Sequence, residues 1–242
     1  MMVVDSIAIT LDVDWAEDAT ILDVADLLIE NRVRATWFVT HDTPVLSYLR
    51  DNADIFELGI HPNFLPGSTQ GNNPREILKT CMDIVPEAVS MRTHGLVQAT
   101  WLYDLVLEET PIQYDVSTYL FRQMCRPVLY ERSSGALWKL SHCWEDDLEI
   151  EKKQPVLSLD RLEMHSGHGA AIFAFHPIHI ALNSPSMKYY KAHMEKKNSD
   201  PPRIQTLDKL DSRQGITSFF YELVYNSAAS GGGSHISTLK GC

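Results

Sequence analysis

Alternation of short apolar segments with helical ones limits the fold of this chain more than any other feature. The segment Ser6–Asp12 is rich in β-branched residues and almost without charge, as expected of a strand covered on both faces. Apolar residues then recur at helical spacing over 21–28, and a second apolar run follows at 33–39. The same order continues at Phe56–Ile60, 75–82, 88–91 and 100–108. Because strands that alternate with helices run parallel, we predict an α/β fold.

The second half of the chain is less regular. We predict further strands at 112–115, 127–129, 156–159 and Ala170–Phe175, and a terminal helix over 211–225. The segments 62–74 and 183–202 are longer than a bare connection requires, so either could cover a substrate. One domain is expected over 1–226, followed by a flexible Gly/Ser-rich tail over 227–242.

Charge and composition exclude several classes of protein. The chain has 32 acidic and 21 basic side chains, a formal charge of -11, which disfavours nucleic acid as a partner. Its apolar runs are far shorter than the ~20 residues of a membrane span, and its first residues lack the pattern of a signal peptide. The four cysteines show no CxxC pair. We therefore expect a cytoplasmic protein.

Chemically active side chains follow the predicted strands. The carboxyl ends of parallel strands open on one side of a sheet or barrel, so residues just beyond them converge on one site. Four predicted strands are followed by such residues, namely Asp12 and Asp14, His61 and Asn63, Arg92 and His94, and His176 and His179. Their shared position indicates a functional site more strongly than any one of them.

The first pair, Asp12 and Asp14, are two residues apart, so both carboxylates face the same side of an extended chain. Two neighbouring carboxylates repel each other unless a cation lies between them. The alternative, which these residues alone favour equally, is that Asp12 lies at the edge of the core and Asp14 or Asp18 caps the following helix.

The histidines also allow two interpretations. His61 could direct a ring nitrogen to a metal, and His176 could act as a general acid at the end of the most apolar strand. A single imidazole beside an apolar strand is more often structural. Because both follow predicted strands beside the other candidate residues, a functional role is favoured for both.

Five short motifs occur in the order found in the polysaccharide deacetylase, or NodB-homology, family of carbohydrate esterases. They are Thr-Leu-Asp-Val-Asp at 10–14, Ala-Thr-Trp-Phe-Val at 35–39, Glu-Leu-Gly-Ile-His at 57–61, Met-Arg-Thr-His at 91–94 and Phe-Ala-Phe-His-Pro at 173–177. The resemblance spans about residues 5–180. It is strongest to the WbmS-like branch of O-antigen gene clusters, in which a Trp-Glu-Asp-Asp segment like 144–147 recurs.

This resemblance implies a deformed (β/α)7 barrel with one divalent metal, usually zinc, and removal of an acetyl group from a sugar. By position, Asp12 resembles the family's general base and Asp14 its metal-binding acid. His61 matches the first histidine of the second motif. The remaining matches are Arg92 to the arginine that steadies the base, His176 to the general acid and, more loosely, Asp146 to the acid that orients it.

The second motif departs from the family pattern. A second histidine is expected four residues after His61, and Leu65 stands there. Because catalytic zinc generally keeps three protein ligands, Asp14 and His61 need a third. His94 is favoured because imidazole is the better zinc ligand, whereas an oxygen-preferring metal would favour Asn63.

The leading hypothesis is a metal-dependent deacetylase acting on an N- or O-acetylated sugar, free or linked to a nucleotide or lipid, in the biosynthesis of bacterial surface polysaccharide. Trp15 could stack on that sugar or anchor the first helix. One alternative is a sugar-binding barrel that has lost catalysis along with the ligand at position 65. Another is a metal-dependent hydrolase of a small amide, because a fold alone does not fix the substrate.

Overall fold

The computed structural model describes residues 6–195, 201–207, 209–210 and 214–241. Its strands are β1 (Ser6–Asp12), β2 (Ala35–Val39), β3 (Phe56–Ile60), β4 (Ser90–Met91), β5 (Tyr114–Tyr119), β6 (Gln123–Met124), β7 (Val128–Arg132), β8 (Gly135–His142), β9 (Trp144–Glu145), β10 (Ser166–Gly167) and β11 (Ala170–Phe175). Its α-helices are α1 (Asp18–Glu30), α2 (Val45–Asp51), α3 (Pro74–Ile84), α4 (Thr100–Glu109), α5 (Asp146–Ile150), α6 (Pro177–Ala181), α7 (Met187–Met194) and α8 (Ile216–Ala229). Short 3₁₀ helices lie at His94–Leu96, Leu159–Arg161 and Ile236–Gly241.

The sequence explains where several helices begin and end. Asn73 caps α3 by accepting a hydrogen bond from the backbone of Glu76, and Pro74 occupies the first helical position. Helix α1 buries its apolar face in the core and ends at Asn31, whose side-chain amide donates to the carbonyl of Leu27. Polar capping residues therefore set the bounds of these helices, while apolar periodicity sets the face they bury.

Nine strands form one sheet in the order β7-β8-β5-β4-β3-β2-β1-β11-β9. All neighbours are parallel except β7 and β8. Only Cys143 separates β8, which pairs with β5, from β9, which pairs with β11. Its N–H donates to the carbonyl of Ile172 at 2.9 Å, and its carbonyl accepts from the N–H of Arg122 at 3.0 Å. At Cys143 the chain thus passes from one end of the parallel sheet to the other. The α/β fold agrees with the one that the resemblance implies, while the strand pairings among the described residues run in one open order and do not close the (β/α)7 barrel.

The parallel strands are almost completely buried, and their apolar side chains form the core with the inner faces of the helices. Strand β11 has no exposed residue, and Trp144 packs between it and α8, with its ring centroid 4.5 Å from that of Phe219. The carboxyl ends of β1, β3, β4 and β11 lead into the loops that carry the acids and histidines identified in the sequence. Among the described residues, no helix combines the length and apolar character needed to cross a bilayer.

Three sequence-based expectations about secondary structure need correction. The segment 156–159 is not a strand; it is irregular and leads into a 3₁₀ helix, although Leu157 is buried. Strands β8 and β9 lie where no strand was expected. The terminal helix runs over Ile216–Ala229, later than the expected 211–225, and residues 211–213 lie outside the described part of the chain.

The expectation of a flexible tail over 227–242 does not hold for residues 227–241. Residues 227–229 belong to α8, and three glycines at 231–233 then turn the chain back toward β1, where the N–H of Ser234 donates to the carbonyl of Ile7. A Cβ on Gly232, whose φ is +85°, would lie 2.6 Å from the carbonyl oxygen of Arg32, so only glycine fits that approach. Ile236 and Leu239 are buried beyond this turn. The C-terminal segment is therefore part of the packed domain.

Candidate metal centre and catalytic groups

The end of β1 holds a buried ion pair. Asp12 and Arg92 are 3% and 0% exposed, and Nη1 of Arg92 donates to Oδ1 of Asp12 at 2.9 Å. Nε of Arg92 donates to the carbonyl of Val116 at 3.3 Å, and the guanidinium lies 4.8 Å from the ring centroid of Phe38. Contacts on several sides thus fix the arginine and orient the carboxylate that it holds.

Asp14 lies in a left-handed turn immediately after β1. Its φ is +42° and that of Trp15 is +57°, a region that side chains other than glycine enter at some energetic cost. The N–H of Trp15 donates to Oγ1 of Thr40 at 3.2 Å, which helps to hold the turn. This turn directs the carboxylate of Asp14 toward the loops after β3 and β4.

Asp14, His61 and His94 form a three-residue group, which we call the first cluster. Oδ1 of Asp14 lies 3.2 Å from Nε2 of His61 and 3.1 Å from Nδ1 of His94, and all three atoms lie within 4.8 Å of one another. Ligand bonds of about 2.0–2.1 Å in a tetrahedral zinc site separate neighbouring ligand atoms by about 3.3–3.4 Å. The spacing and the donor types therefore fit a divalent cation such as zinc.

Electrostatics within the first cluster favour a charged carboxylate. Burial alone would raise the pKa of Asp14, but hydrogen bonds from His61 and His94 outweigh it and hold the pKa well below its usual value. The bond to Asp14 raises the pKa of His94 above its usual value. A cation in this position would replace the imidazole protons as the partner of the carboxylate.

The two loops that carry the histidines are tied to each other. The N–H of His94 donates to the carbonyl of Pro62 at 3.0 Å, and the ring centroids of His61 and His94 are 5.4 Å apart. Gln70 bonds to the carbonyl of His61 and accepts from the N–H of Asn63. Hydrogen bonds that involve no metal thus hold the two loops, and with them the two histidines, in place.

The side chains of Asn63 and Leu65 make contacts within or beside their own loop. Oδ1 of Asn63 accepts a hydrogen bond from the N–H of Leu65 at 3.0 Å, so this oxygen supports a turn within the loop. Leu65 is exposed and lies against the His94–Leu96 turn, where a Cβ on Gly95 would be 3.3 Å from its Cδ1. Of the two candidate third ligands, His94 is the one that contacts Asp14.

His176 follows β11 and is bound to Asp146 at the start of α5. Nδ1 of His176 lies 2.7 Å from Oδ1 of Asp146, and its backbone N–H donates to Oδ2 of the same carboxylate at 2.7 Å. Burial would lower the pKa of His176, but the charge of Asp146 raises it well above the usual value. Nε2 of His176 faces the first cluster, 3.6 Å from Oδ2 of Asp14. The site thus places a fixed imidazole beside the candidate metal ligands.

A family model for WbmS-like polysaccharide deacetylases matches residues 9–194, which include all of these groups. The chain belongs to the WbmS-like polysaccharide deacetylase family. The resemblance inferred from the five motifs is thereby confirmed.

Comparison with solved structures supports the same assignment of fold. A crystal structure at 1.90 Å resolution of the Bordetella bronchiseptica protein WbmS, described as a polysaccharide deacetylase involved in O-antigen biosynthesis, matches with a TM-score of 0.74 and 29% sequence identity. The match covers 91% of this chain and 90% of that one. A search of curated proteins found no match. The expected polysaccharide deacetylase fold is therefore confirmed.

Sequence reasoning left two residues of this WbmS-like site without a role. Asp147 follows Asp146 directly, and its Oδ1 lies 2.5 Å from Nε2 of His179. His179 comes three residues after His176 and therefore lies on the same side of a helical turn. That spacing and the paired acids were visible in the sequence, but nothing there showed that they would meet.

Proposed function

We propose that this chain is a metal-dependent deacetylase that removes an acetyl group from an N- or O-acetylated sugar during the biosynthesis of surface polysaccharide such as O-antigen. The observation that carries the proposal is the first cluster, with Oδ1 of Asp14 between the ring nitrogens of His61 and His94. The family match and the similarity to WbmS support the reaction class and the setting. A sugar linked to a nucleotide or lipid is the substrate we propose.

Zinc is the cation we propose for the first cluster. Two imidazoles and one carboxylate are a common set for catalytic zinc, which leaves a further coordination position open. Bound there, zinc would lower the pKa of a water molecule and polarise the acetyl carbonyl. Asp14, His61 and His94 would hold it.

Asp12 is proposed as the general base. Its carboxylate lies 3.9 Å from Nδ1 of His61, so it borders the first cluster without belonging to it. The bond from Arg92 orients it and keeps a positive charge beside it. In the reaction Asp12 takes a proton from the attacking water.

His176 is proposed as the general acid. Asp146 holds its Nδ1, which leaves the proton on Nε2 directed at the reacting group. The raised pKa of His176 keeps that proton available at neutral pH. The proton passes to the departing sugar nitrogen or oxygen as its bond to the acetyl carbon breaks, so that acetate and the deacetylated sugar are released.

The sugar would lie over the exposed residues at the rim. Trp15 is 41% exposed, and its ring meets the edge of His94 with centroids 5.5 Å apart. An indole at this position offers a flat apolar surface to a sugar ring. The alternative of a sugar-binding barrel without catalysis was based on Leu65, and the contact of His94 with Asp14 supports His94 as the ligand in place of the missing histidine.

Acetate release from acetylated sugars tests the proposal. We expect zinc-loaded protein to release acetate and Asp12→Asn or His176→Ala to lose about 10²–10⁴ in rate. Asp51→Asn, an exposed substitution on α2, and His193→Gln on α7 are matched controls and should retain the rate. Unchanged rates in both site variants, or no acetate from any zinc-loaded preparation, would contradict the assignment.

A further inference from the structure

A second group of metal-ligating side chains lies beside the first. Asp147, His176 and His179, which we call the second cluster, have ligand atoms that all lie within 4.8 Å of one another. Nε2 of His179 is 2.5 Å from Oδ1 of Asp147, and Nε2 of His176 is 4.0 Å from its Oδ2. Both imidazoles are buried, whereas the carboxylate is 40% exposed. A cation could therefore reach this group from solvent.

Both imidazoles of the second cluster are oriented in the same way. Nδ1 of His176 is held by Asp146 at 2.7 Å, and Nδ1 of His179 lies 3.1 Å from Oγ of Ser184. In each ring Nε2 is left facing Asp147. Metal-binding histidines typically have one ring nitrogen fixed by a protein partner while the other binds the metal. The ring of Tyr190, with its centroid 4.5 Å from that of His179, packs against the group.

Asp14 connects the two clusters. Its Oδ1 contacts His61 and His94, whereas its Oδ2 lies 3.6 Å from Nε2 of His176. A carboxylate with one oxygen toward each of two sites is suited to bridging cations, which lie about 3.5–4 Å apart in two-metal centres. The spacing of the two clusters therefore permits both to be filled together.

We propose that the second cluster is a second divalent-cation site and that its occupation inhibits the enzyme by binding Nε2 of His176. The inhibition rests on the proposed function, in which that nitrogen donates the proton, but the binding does not. The second cation shares Asp14 with the first and faces its positive charge, so it binds more weakly. Excess zinc thus acts as an inhibitor of a zinc-dependent activity.

Zinc binding tests the site without any substrate. Metal-free protein is titrated with zinc by calorimetry, and bound metal is counted after equilibrium dialysis. Wild type should bind a tight equivalent and a weaker one. Asp147→Asn and His179→Gln should each weaken the second at least about tenfold and retain the first. His193→Gln, outside both clusters, should bind as wild type does.

A single equivalent in wild type, or an unchanged second equivalent in both variants, would overturn the second site. Circular dichroism confirms that each variant is folded, and Asp147→Asn alters a partly exposed side chain, so at least one variant should remain informative.

Acetate release at one equivalent of zinc and at saturating zinc then tests the inhibition. The ratio of the two rates is compared within each protein, so a change in basal rate cancels. In wild type the rate of acetate release should fall at least about tenfold at saturating zinc, and in Asp147→Asn this rate should fall much less. Two bound equivalents with no loss of rate would overturn the inhibition. Two bound equivalents with no acetate at any zinc level would overturn the proposed function and the inhibition together, and the binding site would stand.

Discussion

Replacing Arg92 with methionine tests whether the ion pair under the site is as buried as the structure shows. The side chain of Arg92 is fully buried and that of Asp12 is 5% exposed, so Arg92→Met leaves a buried carboxylate without the guanidinium that pairs with it. Removing one member of a buried pair typically lowers the free energy of unfolding by about 3–5 kcal/mol. For a chain of this size each kcal/mol corresponds to roughly 2–4 °C, so the melting temperature should fall by roughly 6–20 °C.

Arg50 provides the matched control on the surface. It pairs with Glu87 at 2.6 Å, but the two side chains are 38% and 44% exposed. Water screens such a pair, so Arg50→Met should cost only about 0–1 kcal/mol. Urea denaturation of both variants and of Arg92→Met/Asp12→Asn measures the difference, and the double variant should recover part of the loss because no buried charge remains. Equal losses in the two single variants would refute the reasoning.

Three further predictions concern parts of the molecule away from the first cluster. Burial and the charge of Arg92 lower the pKa of His142 from 6.5 in the folded protein. As the pH falls, His142 is therefore protonated at a higher pH in the unfolded chain than in the folded one. The free energy of unfolding should therefore decrease below about pH 6.5, and urea denaturation should show a smaller decrease in His142→Gln. Burial raises the pKa of the Cys81 and Cys143 thiols to about 12, so at pH 8 iodoacetamide should label the exposed Cys125 and spare both, as peptide mass mapping would show. Ile236→Ala should lower the free energy of unfolding by about 2–5 kcal/mol in urea, because this side chain is fully buried; a loss below 0.5 kcal/mol would indicate a C-terminal segment that is not packed.

Local patterns in the sequence predicted the first half of the fold well. Strands β1 to β3 and helices α1, α3 and α4 lie close to their expected positions, because apolar periodicity and capping residues act over short distances. The junction at Cys143 could not be predicted in this way, since it depends on pairing with both β5 and β11. The segment 156–159 resembles a strand in sequence, yet among the described residues it pairs with no strand.

Prediction of the site had the same limit. The sequence predicted that Asp12, Asp14, His61 and His176 would lie near one another, because each follows a strand of a parallel sheet. The structure places them as neighbours, since the carboxyl ends of parallel strands lie at the same edge of the sheet. The choice between His94 and Asn63 required knowledge of which side chain faces Asp14. The preference of zinc for imidazole pointed to His94, and the contact with Asp14 agrees with that preference.

Zinc affinity in His94→Ala and Asn63→Ala most directly tests whether Asp14, His61 and His94 hold the catalytic cation. Both proteins would be dialysed against limiting zinc, below one equivalent, beside the same substitutions combined with Asp147→Asn, so that binding at the second cluster is separated from binding at the first. We expect His94→Ala to bind at least about 100-fold more weakly than wild type, since altering only the residues behind the ligands already costs about 10–100-fold. Asn63→Ala should bind nearly as tightly as wild type. The reverse order, or equal affinity in all three proteins, would contradict the metal centre proposed for this chain.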